Sequence, residues 1–276
     1  MDVISIQSQV VYGHVGNSAA VFPMQAKGLE VAAVPTALLS NHPHYPTIHG
    51  KILEPELVAA LLQGVEERGL VDEAKVVVTG YLGSAENAAV VAAFIERALQ
   101  RNPDLIFVCD PVMGDDDIGI FVQDGLIPAF RDVLVPMATV MTPNQYELEL
   151  LTGLSARTAP ALADAMEALA ARGVQSGAIT GCVLHDTPPG MVESVTWSPT
   201  DGLARTAVRR LPIRPCGTGD LFTALMIARL CENKPLAQAA QEATAEIFQV
   251  LQRTAENPAT EMRITGFPFI PCGQEK

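Results

Sequence analysis

Short apolar runs that alternate with segments of helical period restrict this chain to a narrow set of folds. Runs at 3–6, 31–35, 75–79, 105–109, 139–141 and 178–180 are too short for helices and rich in Val and Ile. Between them lie segments such as the alanine-rich 85–100, whose apolar positions gather on one helical face. Strands separated by a helix join naturally as parallel neighbours, because a parallel pair needs a long crossover. The pattern predicts an α/β fold with a mainly parallel sheet covered by helices on both faces. Runs at 192–197 and 204–211 read as antiparallel strands. At 276 residues the chain suits one large domain, 1–276, with no repeat, linker or low-complexity tract.

Such sheets bind ligands beyond the carboxyl ends of their strands. Ser8, Tyr81, Asp110, Thr142 and Thr180 all fall at predicted strand ends on that edge. Gly217-Thr218-Gly219-Asp220 then reads as a turn into a helix over 220–232. The first N–H groups of a helix lack intrahelical partners and, with the helix dipole, favour an anion. Glycine at 217 and 219 lets the backbone approach a phosphate closely. A carboxylate beside that anion makes chemical sense if it has a proton to take, and an attacking alcohol supplies one. The stretch therefore predicts phosphoryl transfer from a nucleoside triphosphate, with Asp220 as general base and the 217–219 amides as a cradle. Taken alone, the same four residues also fit a glycine turn with an acidic residue that merely favours the dipole.

Composition narrows the partners. Eighteen Lys+Arg against 31 Asp+Glu leave a net charge of −13, which repels nucleic acid and anionic membrane and favours a small substrate. The 5 cysteines show neither C-x-x-C nor zinc-ligand spacing, which predicts a reducing compartment and a cytoplasmic protein. No secretory signal or membrane-spanning run is expected. There is no G-x-G-x-x-G, because Phe222 stands at the third glycine, and no Walker motif or G-x-S-x-G elbow.

His42 and His44 form an H-x-H pair with no third ligand nearby in sequence, so zinc catalysis is disfavoured. Asp115-Asp116-Asp117 suits a solvated face better than a cation site. Residues 112–122 have no hydrophobic period and read as a mobile loop. In Thr142-Pro143-Asn144-Gln145-Tyr146-Glu147, Asn144 and Glu147 have the spacing of a capping box. Glu147 also suits Mg²⁺ beside nucleotide phosphates, though spacing alone favours the cap.

Taken together, several segments resemble the ribokinase-like superfamily and, within it, the pyridoxal (vitamin B6) kinase family, over almost the whole length. They are Gln7-Ser8-Gln9-Val10-Val11-Tyr12-Gly13-His14-Val15-Gly16-Asn17, Ser40-Asn41-His42-Pro43-His44-Tyr45, Thr79-Gly80-Tyr81, Asp110-Pro111-Val112-Met113-Gly114-Asp115, Thr142-Pro143-Asn144 with Glu147, and Gly217-Thr218-Gly219-Asp220. The resemblance implies a three-layer αβα sandwich and an ATP-dependent kinase for the hydroxymethyl group of pyridoxal, pyridoxine and pyridoxamine. It places Ser8, His44 and Tyr81 on the pyridine ring. It places Asp110, Thr142, Glu147, Thr180, Val208, Arg209, Arg210, Leu211 and Thr218 around ATP.

Mg²⁺ would lie near Glu147, with the Phe121 backbone as a further contact where some relatives carry Tyr. K⁺ and a homodimer are implied as well, and 114–122 would be a flap that closes over the phosphates. Where some relatives have a Lys that captures an aldehyde product, this chain has Cys216, which suggests a reversible thiohemiacetal with pyridoxal. Other readings are a hydroxymethylpyrimidine or sugar kinase on the same scaffold, or a non-catalytic protein that binds pyridoxal phosphate.

Overall fold

The computed structural model describes residues 1–256 and 260–273. Strand β1 (Val3–Val10) leads to α1 (Asn17–Ala26), β2 (Val31–Leu39), the short β3 (Gly50–Ile52), α2 (Pro55–Glu67), the one-turn α3 (Leu70–Glu73), β4 (Val76–Thr79) and α4 (Ala85–Arg101). Next come β5 (Ile106–Cys109), the two-residue strands β6 (Gly114–Asp115) and β7 (Gly119–Ile120), and α5 (Leu126–Ala129), which runs on into a π turn and a 3₁₀ turn. The chain continues through β8 (Val140–Met141), α6 (Gln145–Thr152), α7 (Ala159–Ala170), β9 (Ser176–Cys182), β10 (Met191–Ser198), β11 (Gly202–Arg209), α8 (Thr218–Leu230) and α9 (Leu236–Glu256). Among the described residues no helix is long and apolar enough to cross a membrane.

Nine strands form one sheet in the order β11-β10-β9-β8-β5-β4-β1-β2-β3. The six from β9 to β2 in that order pair in parallel, and β3, β10 and β11 add antiparallel edges. Side chains sort by pleat: Val3, Val76, Val78 and Val108 join the core under α1, α8 and α9, while Ile4, Ile6, Val77 and Phe107 join the core under α2, α4, α6 and α7. Burial on both faces explains why these strands read as unbroken apolar runs. The three-layer α/β/α arrangement expected from the alternation is the one observed.

Several boundaries differ from expectation, each for a local reason. Strand β1 continues past Ile6 to Val10, with a register irregularity between Gln7 and Gln9 that leaves Ser8 at a bulge. Strand β2 passes through Pro35, whose missing donor is tolerated because β3 pairs only with Ala37 to Leu39. Helix α1 is capped by Gly16, without a side-chain cap. The Asn17 side chain instead reaches back to β1, donating to the Gln7 carbonyl at 3.1 Å and accepting from Ser5 Oγ at 2.7 Å. Helix α8 begins at Thr218, not Asp220, because Gly217 takes the cap position. Residues 112–122 are not a structureless loop but contain the β6–β7 hairpin.

Candidate active site

The cradle is built by one glycine. Gly217 caps α8 with φ 79°, the left-handed region, and a Cβ there would run into the His14 carbonyl. Thr218, Gly219 and Asp220 are the first three helical residues, and their N–H groups precede the first intrahelical bond, from Leu221 N to Gly217 O at 3.0 Å. From Leu221 to Arg229 the helix is buried all round, which fixes its start rigidly. Asp220 is packed by protein yet still reached by solvent. Burial raises its carboxyl above the ordinary range, against the pull of the Gly16 N–H.

Two further carboxylates lie at neighbouring strand ends. Asp110 follows β5 and is buried; the Thr223 hydroxyl, one turn along α8 from Asp220, bonds Asp110 Oδ2 at 3.1 Å and Thr142 Oγ1 at 3.0 Å. Burial, then the charges of Glu147 and Asp220, hold Asp110 well above the usual carboxylate range. Glu147 completes the expected capping box: Asn144 N donates to its Oε2 at 2.9 Å and Glu147 N donates to Asn144 Oδ1 at 2.8 Å. Its Oε1 also accepts from Met113 N at 2.8 Å and Gly114 N at 3.4 Å, while Asn144 Nδ2 donates to the Gly114 carbonyl at 2.8 Å. The cap therefore also anchors the root of the hairpin.

Burial pushes the Glu147 carboxyl up to about 8, with those backbone donors restraining it. No ion pair among the described residues joins a Lys or Arg to Asp110, Glu147 or Asp220. Buried carboxylates that repel one another without a protein cation fit a hard divalent metal.

Val208 precedes Arg209, the last residue of β11, and Arg209, Arg210 and Leu211 line a cleft of about 300 Å³ with Pro212, Gln252 and Ala255; Val208 is not on its wall. Thr180 donates its N–H to the Pro143 carbonyl at 3.0 Å and bridges Asn144, which brings β9 beside the Thr142–Glu147 segment. On the hairpin, Asp116 pairs with Arg157 at 3.0 Å and Asp117 with Arg214 at 2.8 Å, so the acidic run is a charge-paired surface. Phe121 is exposed at the hairpin's root, its N–H donating to the Met113 carbonyl at 3.1 Å.

At the opposite end, Ser8 and Tyr81 follow paired positions of β1 and β4, where Ile6 faces Thr79. A Cβ on Gly16 would lie 2.6 Å from Ser8 Oγ, so the α1 turn packs directly on that hydroxyl. The Tyr81 carbonyl accepts from Thr36 Oγ1 at 2.6 Å, and burial raises the phenol's pKa. His44 is exposed, with Nδ1 3.1 Å from Cys216 Sγ, so the loop after β2 meets the residue before the cradle. Burial, then Glu261, Asp220, Asp117 and Asp115, push the Cys216 thiol up to about 12.

Sequence reasoning missed Glu261. Its Oε1 accepts from the Tyr45 hydroxyl and bonds His42 Nε2, both at 2.7 Å, and its Oε2 accepts from His14 N at 2.9 Å. These partners lie 216 to 247 residues away, so no local pattern marks them. Thr223 had a signal: it sits at i+3 from Asp220, on the same helical face.

A parallel sheet with a glycine-capped helix start and buried carboxylates at its carboxyl edge puts the chain in the ribokinase-like class. A model of the phosphomethylpyrimidine kinase family matches residues 15–262. A pyridoxine/pyridoxal/pyridoxamine kinase of Bordetella avium is 41% identical over 263 residues, covering 95% of this chain and 88% of that protein. Pyridoxal kinase PdxY of Granulibacter bethesdensis is 37% identical over 269 residues, covering 95% and 93%. Pyridoxal kinase from Leishmania donovani, solved with ADP and ginkgotoxin, superposes with a TM-score of 0.90 at 29% identity, covering 97% of this chain and 94% of that one. The chain belongs to the pyridoxal kinase family.

Proposed function

We propose that this chain transfers the terminal phosphoryl group of ATP to the hydroxymethyl group of pyridoxal, and also of pyridoxine and pyridoxamine. The observation that carries this is a carboxylate, Asp220, on the first turn of a helix whose leading amides are free of intrahelical partners. In this reading Asp220 takes the hydroxymethyl proton as the alcohol oxygen attacks, and its raised pKa brings it nearer the operating pH of a general base. The amides at 217–219 receive the negative charge of the phosphoryl group in flight, and ADP leaves in line.

Ser8, His44 and Tyr81 hold the ring. Asp110, Thr142, Glu147, Thr180 and Thr218 surround the phosphates, and the cleft at Arg209, Arg210 and Leu211, next to Val208, takes the nucleoside. The β6–β7 hairpin with residues up to 122 serves as the flap that excludes water.

A divalent cation, Mg²⁺ in this reading, would sit on Glu147 with Asp110 and the Phe121 backbone nearby, and when bound it neutralises phosphate charge. A monovalent K⁺ is included in the same reading. A homodimer is supported by apolar surface at one sheet edge, where Val11, Tyr12, Leu38 and Ile48 are exposed. A cytoplasmic location completes the proposal.

The test is ADP release with each vitamer, with hydroxymethylpyrimidine and with a sugar, with and without Mg²⁺ and K⁺. Turnover confined to the pyrimidine or the sugar overturns the substrate assignment. Asp220→Asn is expected to keep nucleotide binding and lower kcat by about 10²–10⁴-fold. Near-normal turnover in that variant removes Asp220 from the base role.

A further inference from the structure

We propose that His42, His44 and Cys216 form a site for a soft divalent cation of the zinc type at the ring end of the crevice. One ligand atom from each of the three lies within 4.8 Å of the others. The H-x-H pair lacked a third ligand in sequence; folding supplies it from 172 residues away, with Cys216 Sγ 3.1 Å from His44 Nδ1.

A second, independent observation points to a ligand. The His42 ring is 2% exposed, and Glu261 Oε1 occupies its Nε2 at 2.7 Å. Its remaining nitrogen, Nδ1, is buried with no hydrogen-bond partner among the described residues. A carboxylate on one imidazole nitrogen is the arrangement that fixes the tautomer of a metal-binding histidine. A neutral ring that donates from Nε2 to this carboxylate keeps its lone pair on Nδ1. The Tyr45 hydroxyl, donating to the same oxygen at 2.7 Å, steadies the carboxylate.

Two imidazoles and a thiolate make a three-ligand zinc set with a fourth position open to solvent or substrate. On binding, the Cys216 S–H bond breaks, sulfur donates its electron pair to the metal and the proton passes to water. The hard oxygen set of Asp110 and Glu147 differs in kind from this nitrogen and sulfur set, so the two sites select different cations. Because His44 belongs to the proposed ring site, a loaded cation excludes the vitamer; this consequence alone rests on the function proposed above.

Co²⁺ titrated into the full chain serves as the spectroscopic probe, with Zn²⁺ as competitor. Expected is a thiolate-to-cobalt charge-transfer band that saturates at one equivalent and is erased by Zn²⁺. The band disappears in Cys216→Ser, weakens in His44→Ala, and persists in Glu261→Gln with affinity about 10–100-fold lower. No saturable band, or the same band in Cys216→Ser, overturns the site. Zn²⁺ inhibition at saturating Mg-ATP is expected to be competitive with pyridoxal. A cobalt band without that competition leaves the cation site standing and refutes its overlap with the vitamer.

Discussion

Glu261→Ala tests how the ring end of the crevice is held together. The carboxylate bonds the buried His42 ring, the His14 amide and the Tyr45 hydroxyl, and the His14 carbonyl in turn packs against Gly217 at the cradle. Burial pushes the Glu261 carboxyl up, but the Tyr45, His42 and His14 contacts prevail and hold it below its usual value. Counting only the His42 and His14 bonds, at about 1.5–3 kcal/mol each for a charged acceptor, the loss is about 3–6 kcal/mol. Against a total stability of about 5–15 kcal/mol this is a large fraction, and it corresponds to a fall in Tm on the order of 10 °C. Steady-state kinetics should show a raised KM for the vitamer with KM for ATP little changed, because both freed loops lie at the ring end. Glu261→Gln keeps the shape and one acceptor, and should fall between parent and Ala variant. An Ala variant with parental melting and parental vitamer KM would refute the reasoning.

Gly217→Ala and Gly219→Ala should behave oppositely in thermal unfolding. At 217 the left-handed backbone costs an L-residue about 1–2 kcal/mol and the new methyl meets the His14 carbonyl, so stability drops and the displaced cradle lowers kcat by about 10²-fold. At 219 a methyl meets nothing within 4 Å, so melting should hold or rise slightly; equal losses at both sites would contradict this. Glu147 titrates near 4.5 when unfolded and about 8 when folded, so the folded state binds the extra proton between those values. Its contribution to metal-free stability is therefore present below about 4.5 and lost as pH rises towards 8; the raised pKa of Asp110 acts in the same sense. Melting curves against pH, compared with Glu147→Gln, should show this slope, and Mg²⁺ should raise Tm more at pH 8 than at pH 5. A slope shared by the variant would assign it elsewhere.

What the sequence determined alone was whatever acts over a few residues. Apolar runs alternating with helical segments dictated the layered sheet, because each element must bury its own faces. Asn144 with Glu147 marked a helix start because capping is satisfied within one turn. The resemblance carried Ser8, His44 and Tyr81, but not what orients them. Tertiary structure alone decided the bulge at Ser8, the hairpin within 112–122, the Thr223 link between Asp110 and Thr142, the Glu261 hub and the meeting of His44 with Cys216. These contacts join residues far apart in the chain, and their geometry is set by how the sheet twists and where its edge closes, not by the spacing of neighbouring side chains.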